Sequence, residues 1–171
     1  MDVYWERICN WVAKQRSDKN IAEGRIDTRG ASPFAGPEYH RLGVFAECIT
    51  SLHFGIAWPG VGVIGEPDLP YGIEVKGIFA HCKYLLPKPE DLANDRLNFV
   101  LVRASAHPRR FQILGWIPVI YARDLVIPRT LDDERGPCAT VDSCHLWALS
   151  SLRQLIDLER CFESRVFHDW T

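Results

Sequence analysis

A block of strand-patterned sequence stands between helix-patterned segments, and this order limits the chain more than any other feature. GIEVKGIF alternates apolar and polar residues, the period of a half-buried strand. HFGIAW and GVGVIG before it are rich in glycine and β-branched residues, so strand structure is expected across 53–79. NFVLVRA reads as a strongly buried strand. RRFQILGWIPVIYA reads as another, joined to it by the turn SAHPRR. Ahead of the block, Val3 to Gln15 places Tyr4, Ile8, Trp11 and Val12 at helical spacing, and 16–37 has the Gly, Pro and polar content of a long loop. A second helix is expected from Pro37 through EYHRLGVFAECITSL. Gly43 either weakens that helix or admits a neighbouring backbone. After the block, HCKYLLPKPEDLANDRL reads as a connection with a short helix at most, and 123–142 as loop. SCHLWALSSLRQLIDLERCF reads as a last amphipathic helix burying Leu149, Leu152, Leu155 and Ile156. The order predicts an α/β (α+β) fold with a small mixed sheet.

A chain of 171 residues suits one domain spanning 1–171. Its 47% apolar and 25% charged residues fit a globular chain rather than a disordered one. No apolar run approaches the roughly 20 residues of a membrane span. MDVYWERICNWVAKQ lacks the basic start and apolar block of a signal peptide, so a cytoplasmic location is expected. The six cysteines form no CxxC and fit reduced thiols, Cys144 and Cys161 being expected within the core of the last helix. A net charge of −2 excludes a generally basic nucleic-acid binder, so any such contact needs a local patch.

EPDLPYGIEVKG carries the chemistry. On a strand, Glu74 and Lys76 share one face, while Ile73, Val75 and Phe79 take the other. Pro70 and Gly72 fit a tight reversal. Centred on Tyr71, the hairpin would set Asp68 across from Glu74, Glu66 across from Lys76 and Ile64 across from Ile78. Like charges directly opposed are destabilising, and a divalent cation relieves them. Mg²⁺ takes one or two carboxylates and keeps several waters. The plainer alternative is a Glu66–Lys76 surface ion pair worth under ~1 kcal/mol, with Asp68 merely starting the turn. On the preceding helix, His40 and Glu47 share a face, whereas Glu38 lies half a turn out of phase with Glu47.

Pro67-Asp68 followed by Glu74-Val75-Lys76, after a helix bearing Glu47, resembles the signature of the PD-(D/E)XK nuclease superfamily. NFVLVRA and the segment containing GWI resemble later strands of its phage and bacterial members, and the likeness spans roughly residues 37–121. The resemblance implies a restriction-endonuclease-like core, a central mixed sheet flanked by helices. It also implies a metal-dependent DNA endonuclease using Mg²⁺, with Mn²⁺ able to substitute. Carried over by position, Asp68, Glu74 and the Val75 carbonyl would bind the metal. Lys76 would be the catalytic lysine and Glu47 the helix acid. His40, Lys83, Arg103, Arg109 and Arg110 are candidate DNA contacts, and cutting both strands would suit a homodimer. Two rivals remain. One is a catalytically inactive DNA-binding or assembly module of the same fold. The other is a zinc protein using His81, Cys82, Cys138, Cys144 and His145, whose spacing matches no standard zinc pattern.

Overall fold

The structure is a computed structural model that describes residues 2–24, 36–62, 66–105, 110–130 and 137–168. Among them, the elements in chain order are helices α1 (Val3–Ala22) and α2 (Gly36–Phe54), strands β1 (Ile73–Ile78) and β2 (Tyr84–Leu85), and helix α3 (Pro89–Leu92). Strands β3 (Asn98–Ala104) and β4 (Phe111–Pro118), helix α4 (Val119–Asp124), strands β5 (Ile127–Thr130) and β6 (Pro137–Asp142) and helix α5 (Leu149–His168) follow.

The main sheet has the order β1-β3-β4. β1 and β3 run parallel, pairing Glu74 with Phe99 and Lys76 with Leu101, while β3 and β4 run antiparallel. The sheet is therefore mixed. β3 is its centre because Phe99, Val100, Leu101 and Val102 are all fully buried, which requires cover on both faces. On one face Val100 and Val102 join Ile73, Val75, Ala46 of α2 and Leu152 and Ile156 of α5. On the other, Phe99 and Leu101 join Leu85, Val119, Ala122 and Val141, from α4 and the small second sheet β2-β6-β5. α1 lies outside α2, with Cys9, Val12 and Ala13 against Val44, Phe45 and Cys48.

Two glycines set the closest approaches. Gly72 has φ +64°, and a Cβ there would stand 2.2 Å from the Arg96 carbonyl oxygen. Its own carbonyl accepts from Asn98 N–H at 2.8 Å, which starts the β1–β3 ladder. Gly77 lets α2 lie on β1, since a Cβ would fall 2.9 Å from Leu42 Cγ and 3.2 Å from its carbonyl oxygen. Gly43, the glycine that sequence marked for close approach, faces open space.

Several expectations are corrected. α2 continues through Phe54, and 55–62 forms no strand, so the strand block begins at Ile73. Ile64 lies outside the described residues. α1 runs to Ala22, well past Gln15, because polar residues continue a helix whose inner face is already packed. Tyr4 and Trp11 are exposed, and the buried stripe is Cys9, Val12 and Ala13. VIYA turns helical after Pro118, with Val119 and Ala122 buried one turn apart. The segment 123–142 holds β5 and β6. Pro128 sits in β5, at the edge of its sheet, and Pro137 begins β6, positions where a missing N–H is tolerated. Cys144 lies in a 3₁₀ turn ahead of α5, and both it and Cys161 are exposed. The expected α5 face holds, with Leu152 and Ile156 buried and Leu149 and Leu155 packed against them.

Gly72→Ala should lower stability by at least about 2 kcal/mol, because the added methyl meets backbone at a positive φ. Urea denaturation reads this as a lower midpoint with an unchanged slope. An unshifted midpoint would mean the turn can move away from Arg96.

Candidate active site

The reversal before β1 is centred on Tyr71, which has φ +65°, and Leu69 bridges Ile73 across it. Leu69 N–H donates to the Ile73 carbonyl at 3.0 Å. The ladder then stops. Continued antiparallel pairing would give the Val75 N–H to a backbone carbonyl, but Asp68 Oδ2 accepts it instead at 2.8 Å. The side chain stands in for a rung. It thereby fixes the carboxylate beside the outer edge of β1.

The Val75 carbonyl points to the same side. In a strand, the N–H and C=O of one residue face one way and those of the next face the other. Ile73 bonds outward to Leu69, while Gly72 bonds inward to Asn98. Val75 therefore directs both its groups outward, and its N–H meets Asp68 there.

Glu74 and Lys76 share a face of β1, as the alternation predicts. Lys76 Nζ donates to Glu74 Oε1 at 2.8 Å and to Asp91 Oδ2 at 2.7 Å. It also lies 6.0 Å from the centroid of the Phe99 ring. The Glu66–Lys76 ion pair of the plainer alternative does not form, and Lys76 pairs with Glu74 and with Asp91 of α3 instead. Asp91 is itself fixed, since it accepts the Lys88 N–H at 3.3 Å.

Glu47 comes from α2 and is 3% exposed. Arg16 of α1 donates to both of its oxygens at 2.6 Å, and Trp58 Nε1 donates to Oε2 at 3.3 Å. Arg16 is held at its other edge by the Gly60 carbonyl, which accepts from Nε at 3.1 Å and also from Nη2. The pair carries a buried acid on a counter-charge from a neighbouring helix.

Electrostatics joins these groups into one site. Burial, then the charges of Glu47 and Glu74, push the Asp68 carboxyl up to about 8, against the pull of the Val75 N–H and Lys76. Burial works to lower the Lys76 pKa, but Glu74 and Asp91 outweigh it and the ammonium is held above its usual value. Burial likewise opposes the Arg16 charge, and the hydrogen bonds and charge of Glu47 raise its pKa overall, with a further pull from Asp68.

Among the described residues, no three His, Cys, Asp or Glu side chains converge as a metal-binding group. The donor set fits a hard cation that keeps its waters. Asp68 and Glu74 supply carboxylates, the Val75 carbonyl faces the same edge, and Asp68 carries repulsion that a cation would relieve. Glu47 contributes charge to this cluster while both its oxygens are engaged by Arg16.

The basic candidates are not gathered here. Arg103 pairs with Ile78 at the far end of β1, roughly 13 Å along the strand from Glu74 at ~3.3 Å per residue. It donates to Gln112 Oε1 at 2.9 Å. Arg110 is exposed beside it, opposite Ser105. Lys83 is exposed before β2, and His40 is half-buried on α2. Arg109 lies outside the described residues.

Arg16, Trp58 and Asp91 are the site residues that sequence reasoning missed. Arg16 had a signal. Cys9, Val12, Ala13 and Arg16 follow i, i+3, i+4, i+7 spacing, so the arginine continues a buried stripe. Comparison with protein-family models, with curated proteins and with solved structures gives no match.

Arg16→Ala should cost about 3–5 kcal/mol by leaving the Glu47 charge buried and unpaired. Guanidinium denaturation measures this, and a cost under about 1 kcal/mol would show that Glu47 finds water. Asp68 gives a signed pH dependence. Its folded pKa lies above its unfolded value of about 4, so the folded state binds the extra proton between about pH 4 and 8. Stability from this group is complete at low pH and is lost as pH rises through about 8. In EDTA, the stability difference between wild type and Asp68→Asn should therefore move against wild type from about pH 4 to 8. A constant difference would rule out the raised pKa.

Proposed function

We propose that this chain is a metal-dependent DNA endonuclease with a restriction-endonuclease-like core of the PD-(D/E)XK type. The observation that carries this reading is the edge of β1. Asp68 accepts the Val75 N–H there, Lys76 pairs with Glu74 on the same strand, and burial with the charges of Glu47 and Glu74 pushes the Asp68 carboxyl up to about 8. The parallel β1–β3 crossover, with α2 laid on β1, supports the fold assignment.

Asp68, Glu74 and the Val75 carbonyl would hold Mg²⁺, or Mn²⁺ in its place. When bound, the cation neutralises charge on the phosphate and makes its water more acidic. The chain does the rest. Asp68 is positioned by the Val75 N–H, so its carboxylate is held beside the edge of β1 without rotamer search. Lys76 is an ammonium set between Glu74 and Asp91, and its charge and donors are available to a phosphate oxygen entering beside Glu74. Asp91 fixes where that ammonium stands. Arg16 keeps Glu47 in place at the floor of the site. Arg103 and Arg110, one strand length away, suit contact with the phosphate backbone rather than with the reacting group. Cutting of both strands would draw on two copies of the chain.

A second reading has one observation in its favour. The acids Glu47 and Glu74 already carry protein counter-charges in Arg16 and Lys76. A site neutralised in this way also suits an inactive DNA-binding or assembly module.

Supercoiled plasmid, linear duplex, single strand and a four-way junction, each with Mg²⁺, Mn²⁺ or EDTA, distinguish the two. Cleavage should require the metal and fall at least about 10²-fold in Glu74→Ala and Lys76→Ala, with circular dichroism unchanged. Undiminished cutting by Lys76→Ala would remove the nuclease reading. Metal-independent DNA binding without cutting would select the inactive module.

A further inference from the structure

We infer that Arg16 occupies the place of a second cation, so that the site takes one divalent ion and Glu47 is not among its ligands. The inference rests on the metal-site reading above and deepens it. Its basis is the saturation of Glu47. Each oxygen of that carboxylate receives an Arg16 N–H at 2.6 Å, and Oε2 also receives Trp58 Nε1. Short bidentate contacts of this kind are the strong form of the carboxylate–guanidinium pair. The arginine cannot easily swing away, because the Gly60 carbonyl takes its Nε and Nη2 on the opposite edge. Its side chain is 19% exposed and that of Glu47 is 4% exposed, so little water is at hand to replace either partner.

Charge counting gives the same result. Asp68 feels the charges of both Glu47 and Glu74. Arg16 answers Glu47, and Lys76 is shared by Glu74 and Asp91. Asp68 accepts the Val75 N–H but no ion pair among the described residues. One divalent ion on Asp68 and Glu74 completes the balance, and a second would have to displace a guanidinium held on both edges. Arg16 is thus a positioning residue that acts through Glu47. It supplies the fixed positive charge that a second ion would otherwise bring.

Isothermal titration of the full chain with Mn²⁺, free of DNA, tests this directly. Wild type should bind one ion, and Asp68→Asn should weaken that binding at least tenfold. Arg16→Met frees the Glu47 carboxylate and should bind a second ion, with a thermal midpoint that rises with Mn²⁺. The double variant Arg16→Met/Glu47→Gln keeps the net charge and avoids the stranded acid. It should bind one ion with wild-type affinity. Two ions in wild type would overturn the inference, as would a single ion in a folded Arg16→Met. A tenfold loss of affinity in the double variant would make Glu47 a ligand and overturn it as well. Should Arg16→Met not fold, the wild-type stoichiometry and the double variant decide. No Mn²⁺ binding by wild type would instead sink the metal site, and the inference with it, and zero ions are distinguishable from two.

Discussion

Glu47 is a carboxylate on a helix face packed into the interior, and such a charge persists only beside a partner that is equally confined. Arg16 is that partner, and it arrives from α1. The requirement reaches far. α1 must lie along α2 for the guanidinium to reach, and Cys9, Val12 and Ala13 supply the apolar contact that holds it there. The chain after α2 must fold back so that Trp58 and Gly60 close over the pair. α2 in turn must lie close on β1, which Gly77 permits. The apolar contacts provide most of the driving force, since each fully buried aliphatic side chain contributes about 2 kcal/mol. The ion pair selects which arrangement of those contacts is acceptable.

The sheet then carries this arrangement to Asp68 and β1. Parallel pairing of β1 with β3 leaves one edge of β1 without a strand partner among the described residues. That edge is where Asp68 and the Val75 carbonyl point. The opposite side of β1 is tied to β3, whose residues are buried on both faces. Asp68 and Glu74 are thus mounted beside a strand whose pairing partner is buried on both faces. Rigid mounting is what a site needs if charge, rather than motion, does its work.

Local period and turn chemistry made the core of this legible in sequence. The alternation in GIEVKGIF identified β1 and the shared face of Glu74 and Lys76. Pro70 and Gly72 located the reversal at Tyr71. The apolar run NFVLV identified the central strand, and seven-residue spacing put His40 and Glu47 on one face of α2, where the structure buries Glu47. What escaped depends on distance. Nothing near Lys76 in the chain points to Asp91, because their contact is made by the crossover between β1 and β3. Arg16 was hidden by the polar run that follows Gln15, although its spacing from Cys9 and Val12 continues the buried stripe. β5 and β6 were masked by prolines that only an edge or a strand start can accommodate. α4 was hidden because its apolar residues extend those of β4 without a break.

The side-chain rung at Asp68 has a consequence beyond the chemistry of the site. An unpaired strand edge is a template on which another chain can add. β1 carries the β-branched residues Ile73, Val75 and Ile78, so its bare margin would invite such pairing. Asp68 occupies the Val75 N–H that an incoming strand would need, and it places a carboxylate across the approach. The residue that would hold a metal is also a guard against self-association. On the proposed reading, metal binding and resistance to strand addition would both fall to this one side chain.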